Sequence, residues 1–196
     1  MGKKTIFWFF VFIVLLFLVP LFWGTYNRLV KRDEAVKMAW AQVENQYQRR
    51  ADLIMNLVET VKGYAAHEQE TFTRVIEARA KATQVTVDAD HLNAETLTQF
   101  NKAQGELSQA LSRLMVVVER YPDLKANENF IMLQGQLEGT ENRIATERKR
   151  FNETVNKYNT YLRRFPRNMV ARVLGFGKKE YFGADTGADT TPDVKF

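Results

Sequence analysis

Val36-Lys37-Met38-Ala39-Trp40-Ala41-Gln42-Val43-Glu44-Asn45-Gln46-Tyr47 opens a pattern that continues through Arg50, Ile54, Leu57 and Val61 to Tyr64. The stripe Val36, Trp40, Val43, Tyr47, Arg50, Ile54, Leu57, Val61, Tyr64 alternates steps of four and three, which is the seam of a helix packed along its length on other helices. From Tyr26 to Tyr64 there is no proline, and Gly63 is the only glycine. A helix over 27–64 would be about 57 Å long. The register slips between Gly63 and His67, so the next segment is either a separate antiparallel helix or the far side of a kink.

Three further amphipathic segments follow. Residues 68–84 carry Phe72, Val75 and Ile76 on one face, with Ala80 or Ala82 and with Arg79 on the same side. The β-branched Val85-Thr86-Val87 and the Asp88-Ala89-Asp90 run then favour a loop to His91. Asn93 is an N-cap candidate for a helix over 94–120, with seam Leu97, Phe100, Gln104, Leu107, Leu111, Leu114, Val118 and a stop at Tyr121-Pro122. Asn127 is an N-cap candidate for 128–165, with seam Phe130, Leu133, Leu137, Glu141, Ile144, Arg148, Phe151, Val155, Tyr158, Leu162, Phe165. Arg163 and Arg164 in its last turn suit the negative end of the dipole. Apolar stripes of this length cannot face water alone, and four of them with short connections pack as an up-and-down four-helix bundle with coiled-coil-like seams. The fold expected is all-α.

Upstream, residues 6–23 carry no polar side chain. At about 1.5 Å per residue this run spans roughly 27 Å, close to the hydrocarbon thickness of a bilayer. Ile6 and Trp8 stand at one end and Trp23 at the other, where amphipathic rings favour the headgroup level. A cleaved signal peptide is the competing reading, but the run exceeds an ordinary h-region and no small-x-small site follows. The Met-Gly start lacks the Ser or Thr at position six of a myristoylation signal. Lys3, Lys4 and the α-amine on one side nearly balance Arg28, Lys31, Arg32 and Lys37, diluted by Asp33 and Glu34, on the other, so flanking charge leaves the orientation open. The expected organisation is a short tail at 1–5, a transmembrane helix at 6–24, the bundle at 25–166, a basic amphipathic segment at 167–182 and a disordered tail at 183–196.

The 196 residues hold no cysteine, two histidines and a net charge of +5. That removes disulfides, thiol nucleophiles and thiolate metal sites. The mean hydropathy of −0.34 hides the division between an apolar start and a polar remainder. A di-iron bundle needs Glu-x-x-His pairs, yet Tyr64 and Asp88 stand three residues before His67 and His91. His67-Glu68-Gln69-Glu70-Thr71 places Thr where a zinc-protease helix needs its second His. Gly175-Phe176-Gly177-Lys178-Lys179 lacks the first glycine and the strand of a phosphate loop. Gly135-x-x-x-Gly139 lies in a charged helix and is at most a close-packing point. No catalytic residue, cofactor or metal site is expected, and no groove-reading module for nucleic acid is present.

Three clusters stand out. Arg50, Gln104, Glu141 and Arg148 occupy seam positions and are expected to form a buried polar layer, with Glu141 paired to an arginine of another helix. Asn152, Asn156, Asn159 and Tyr158 crowd one part of the last helix. They are either solvated surface or an interface with another protein, because asparagine is a poor helix former. Residues 154–179 contain no acid, and Arg163, Arg164, Arg167, Arg172, Lys178 and Lys179 interleave there with apolar side chains. That pattern suits either a solvated cap or docking on anionic lipid, at about 1 kcal/mol for each base near the surface.

These strings resemble the LemA family of bacterial membrane proteins. The resemblance rests on Tyr26-Asn27-x-Leu29-Val30, Ala39-Trp40, Arg50-x-Asp52-Leu53-Ile54-x-Asn56-Leu57-Val58, Val61-Lys62-Gly63-Tyr64-Ala65-x-His67-Glu68 and Ala78-Arg79-Ala80. It continues through Tyr121-Pro122-Asp123-Leu124-Lys125-Ala126, Glu141-x-x-Ile144-Ala145-x-x-Arg148, Phe151-Asn152, Tyr158-Asn159 and Phe165-Pro166. It implies a single N-terminal anchor in the bacterial inner membrane, an up-and-down four-helix bundle and no established biochemical activity. A branch associated with shaping magnetosome membranes suggests membrane organisation as a theme. The expectation is a self-associating, non-enzymatic scaffold on the lipid bilayer. The alternative is an adaptor or sensor that presents a membrane-protein partner to a membrane enzyme.

Overall fold

The computed structural model describes residues 2–89 and 92–183, with the side chains of Lys3, Thr5, Ile6, Val14, Leu15, Phe17 and Leu18 left aside. Asp90, His91 and the tail at 184–196 lie outside the described residues. The described chain is all-α, with no strand. Its elements are α1 (Lys3–Lys62), α2 (Gln69–Gln84), α3 (Ala94–Val118), α4 (Pro122–Lys125), α5 (Glu128–Arg163) and α6 (Arg167–Val173).

α1 is a single helix of 60 residues, about 90 Å long, that runs through Pro20 and Gly24 without interruption. The apolar run and the first bundle helix are therefore one rod. Among the described residues, no helix is long and apolar enough to cross a membrane, so the structure does not show a transmembrane span. Ile6, Val14, Leu15, Phe17 and Leu18 of the apolar run lie outside the described side chains.

α1 ends at Lys62, and residues 63–68 turn the chain so that α2 returns antiparallel along α1; the kinked-rod reading does not hold. Arg79 Nε donates to Ala51 O at 3.1 Å, and its guanidinium lies 3.4 Å from Asp52. Phe72, Val75, Ala78 and Ala82 form the buried face of α2, whereas Ile76 is exposed, because the helix rotates to bring Arg79 over α1. α3 starts where Asn93 caps it, accepting from Thr96 N at 2.8 Å; α5 starts where Asn127 accepts from Phe130 N at 3.1 Å.

α1 and α5 form the main antiparallel pair, with Arg32 opposite Lys157 and Arg50 opposite Glu141. α2 and α3 form the second, with Glu68 joined to Arg120. Two cores result. The one toward the α1–α2 turn is chiefly aliphatic: Ile54, Leu57, Val58, Val61, Val75, Leu107, Leu114 and Leu124. The one toward the apolar run is aromatic: Trp40, Tyr47, Phe100, Phe151, Tyr158, Tyr161 and Phe182. α2 is only about 24 Å long and does not reach the second core. Val87 and Leu92, beside the α2–α3 connection, and the extended segment 176–182 fill that space instead. The segment expected to be amphipathic over 167–182 is thus helical only over α6. It is then sharply stopped: Gly175 takes φ 78°, while Gly175 N and Phe176 N donate to Arg172 O and Ala171 O. This glycine-terminated cap turns the chain back along α5.

Gly135 and Gly139 do not mark a close approach: a Cβ at Gly135 would meet open space, and at Gly139 only the Arg143 side chain.

Candidate functional site

The expected polar layer separates the two cores. Arg50 and Gln104 are buried, at 4% and 7% exposure. Arg50 Nε lies 2.7 Å from Glu141 Oε1, and its terminal nitrogen donates to Ser108 Oγ; Gln104 Nε2 donates to Ala82 O at 3.3 Å. Glu141 is not buried as expected: its side chain is 49% exposed. Arg148 is only half-buried and reaches Gly183 O and the Phe182 ring. The reason is that α3 and α5 leave a groove between them, so a seam position on α5 faces its mouth rather than a closed interior.

Within the chain, Asn152 and Asn159 of the asparagine cluster hold the backbone of the chain's own segment 176–182, while Asn156 stays exposed. Asn159 Nδ2 donates to Lys179 O at 2.8 Å, and Lys179 N donates to Asn159 Oδ1 at 3.1 Å. Asn152 repeats the arrangement one heptad earlier with Phe182, at 3.1 and 2.8 Å. Tyr158 Oη donates to Gly177 O at 2.9 Å, and Tyr181 Oη lies 3.4 Å from Asn156 Oδ1. Each carboxamide satisfies both backbone groups of one residue, as a neighbouring β-strand would. The helix-propensity cost of these asparagines is offset by otherwise unmet backbone groups of the strap.

The strap buries two side chains. Lys179 Nζ lies 3.2 Å from Asp33 Oδ1 and donates to Ala89 O at 3.2 Å. Lys179 was expected among the lipid-facing bases; it turns inward because Asp33 and a backbone carbonyl compensate its charge. Phe182 stacks on Trp40 with ring centroids 5.5 Å apart, meets Phe151 at 5.4 Å, and carries the Arg148 guanidinium at 5.0 Å. Burial, with Asp33 adding its negative charge, pushes the Tyr158 phenol up to about 12. Burial also raises the Glu44 carboxyl above its ordinary value, with the Trp40 side chain moderating the shift.

The remaining bases crowd the end of the bundle nearest the apolar run. The antiparallel contacts of α1 and α5 set Phe165 opposite the neighbourhood of Thr25, and Tyr26 meets the ring of Phe176 at 6.3 Å. α6 lies across this end with Val170 and Ala171 buried beneath it. Its outer face carries Met169 and Val173 at 61% and 74% exposure, four residues apart on one stripe, and Phe165 in the connection before it is 79% exposed. Arg163, Arg164 and Arg172 are exposed at this end, and Lys178 is exposed on the segment after α6, in the neighbourhood of Asp33 and Tyr158. Arg167 is half-buried, stacked on one ring of Tyr161 that also carries Arg32. Trp8 and Trp23 are exposed on α1; the Ile6 side chain lies outside the described residues.

No group of three or more His, Cys, Asp or Glu residues is placed to hold a metal ion among the described residues. Sequence reading singled out the asparagines but missed Asp33, Trp40 and Phe182 as their companions. The only available signal was the Lys179-x-x-Phe182 spacing against an i, i+7 asparagine pair.

Comparison with known proteins gives one consistent relationship. The model of the LemA family matches residues 39–196. A magnetosome protein MamQ 2 of Paramagnetospirillum magneticum is 29% identical over 184 residues, covering 84% of this chain and 67% of its own length. The magnetosome protein MamQ of Magnetospirillum gryphiswaldense is 27% identical over 191 residues, with 86% and 70% covered. A protein LemA of Metamycoplasma hominis is 23% identical over 151 residues, with 77% and 65% covered.

Proposed function

The chain belongs to the LemA family, and from that premise we propose that it is a membrane-tethered, self-associating helical scaffold whose basic bundle end rests on an anionic bilayer. The tether is the run at 6–23. Phe7, Trp8, Phe9, Phe10, Phe12, Leu16, Val19 and Trp23 are all more than half exposed along the start of α1. Covering a large apolar side chain is favourable by about 1.5–3 kcal/mol, so leaving eight in water forgoes on the order of 10–20 kcal/mol, as much as a domain's whole stability. A bilayer is the cover that suits a stretch apolar on every side. The relatives named as magnetosome proteins fit a role in organising membranes.

The observation that carries the reading is the α6 collar. An outward apolar face with exposed Arg163, Arg164 and Arg172 lies near the end of the apolar run, and the exposed Lys178 follows on the next segment. Apolar burial and about 1 kcal/mol for each base near an anionic surface both draw that face onto lipid. The bundle offers surface and not turnover in this reading. The adaptor alternative loses its main motive, because Asn152 and Asn159 are occupied within the chain.

Hydrogen exchange on the full chain in nanodiscs tests the reading. Residues 165–174 are expected to be protected in anionic nanodiscs. Replacing Arg163, Arg164, Arg172 and Lys178 with glutamine is expected to remove that protection. Equal exchange in anionic and zwitterionic lipid would overturn the docking, and release of the chain from membranes by alkaline carbonate would overturn the tether.

A further inference from the structure

The groove that holds residues 176–183 reads its occupant almost entirely through groups any copy of this chain would present. Seven helical residues between Asn152 and Asn159 rise about 10.5 Å, and three extended residues between Lys179 and Phe182 span about 10 Å, so the two carboxamides fall in register with the two backbone sites. The two side chains it buries are a lysine against Asp33 and the Ala89 carbonyl, and an aromatic ring against Trp40 and Phe151. The occupant enters through Gly175 and Gly177 and leaves at Gly183. Glycine at both ends lets the strap swing about Gly177 without distorting α6, whose cap closes with Phe176 N on Ala171 O.

We propose that this groove is an extended-segment recognition site for the pattern Lys-x-x-Phe, and that in the membrane it accepts the strap of a second copy in place of its own. The proposal rests on the tethered, self-associating reading above and supplies its contact. Exchange of an identical element keeps every contact of the closed form, so its cost is confined to the hinge and to bringing two copies together. Tethering lowers that second cost. Two copies held by the same apolar run present their grooves and straps at one height above the bilayer, which raises the effective concentration of each strap for its neighbour's groove. Both straps emerge at the membrane-proximal end, as a two-fold axis along the membrane normal requires.

The absence of cysteine makes the test direct. One full-length copy carries Asn156→Cys on the groove and another carries Tyr181→Cys on the strap, a pair whose native side chains lie 3.4 Å apart. Both positions are exposed, so folding is preserved. Co-reconstituted in anionic liposomes and treated with a short bis-maleimide, the mixed copies are expected to crosslink about tenfold faster than a control pair in which Val116→Cys replaces Asn156→Cys. Adding Phe182→Ala to the strap copy, or excess synthetic peptide spanning residues 177–183, is expected to return the rate to the control level. A rate equal to the control, or one indifferent to Phe182→Ala and to the peptide, would sink strap exchange. If copies still sediment as oligomers under that outcome, self-association stands and only its contact is wrong; if they sediment as monomers, the scaffold reading falls too.

Discussion

The two ends of the bundle solve one packing problem by different means. Away from the apolar run, α1, α2, α3 and α5 meet through chiefly aliphatic seams of residues three or four apart, closed at the end by Ala65 and Leu124. Toward the apolar run, α2 is missing, and the space is closed by rings and by an extended strap from beyond α5. Branched aliphatic side chains with Phe72 and Phe130 fill the core where four helices enclose it. Where one helix is replaced by a thinner extended chain, large rings are needed to reach native packing density. Between them, the Arg50–Ser108–Gln104 layer keeps the two cores apart. The comparison teaches that a continuous seam on α1 does not imply continuous partners beside it.

Trp40→Ala is the largest way to break this contrast. Trp40 touches Phe100, Phe151 and Phe182, so its loss is expected to cost about 3–5 kcal/mol in urea unfolding and to open the strap to proteolysis at residues 174–183. Leu57→Ala in the aliphatic core is expected to destabilise without exposing the strap, and equal cleavage in both variants would erase the distinction.

Alkaline titration should act next. The folded Tyr158 phenol titrates at about 12 against an ordinary value near 10, so it favours the folded state fully below pH 10 and loses that contribution as pH rises to about 12. The loss is expected to approach about 2 kcal/mol, with the strap released as the phenol stops donating to Gly177 O. Tyr158→Phe should flatten this part of the stability profile, read by circular dichroism against pH.

Glu141→Gln sharpens the boundary between the cores. Its partner Arg50 is buried but Glu141 is half exposed, so the cost should fall between the roughly 0–1 kcal/mol of a surface pair and the 3–5 kcal/mol of a buried one, at about 1–2 kcal/mol. Asn127→Ala at the aliphatic end should cost about 1 kcal/mol, through the α5 cap and the bond to Tyr64 Oη, and leave the strap untouched. Native-state hydrogen exchange separates these two local effects.

Legibility follows the same division. Both asparagine caps, the proline stop after α3 and the buried stripe from Val36 to Val61 could be read from spacing alone, because each depends on neighbours within one or two turns. Glu141 was misplaced because a seam position says which way a side chain points, not whether a second helix closes over it. Lys179 was misplaced because its compensation comes from Asp33 and Ala89, far away in sequence. Ile76 was misplaced for a related reason: Arg79 reaching α1 sets the rotation of α2.

What the sequence determined by itself is local: the helical segments, their caps, their apolar faces and an eighteen-residue stretch that water cannot accommodate cheaply. These follow from periodicity and from transfer free energy, which act on residues close together in the chain. Only the tertiary structure decided that Asn152 and Asn159 of α5 hold a backbone of the chain itself, and that Lys179 of the basic segment turns inward while Arg163, Arg164 and Arg172 stay exposed. Those outcomes depend on which groups meet across gaps of 20 to 146 residues, where desolvation must be compensated by a specific partner and no periodicity records it.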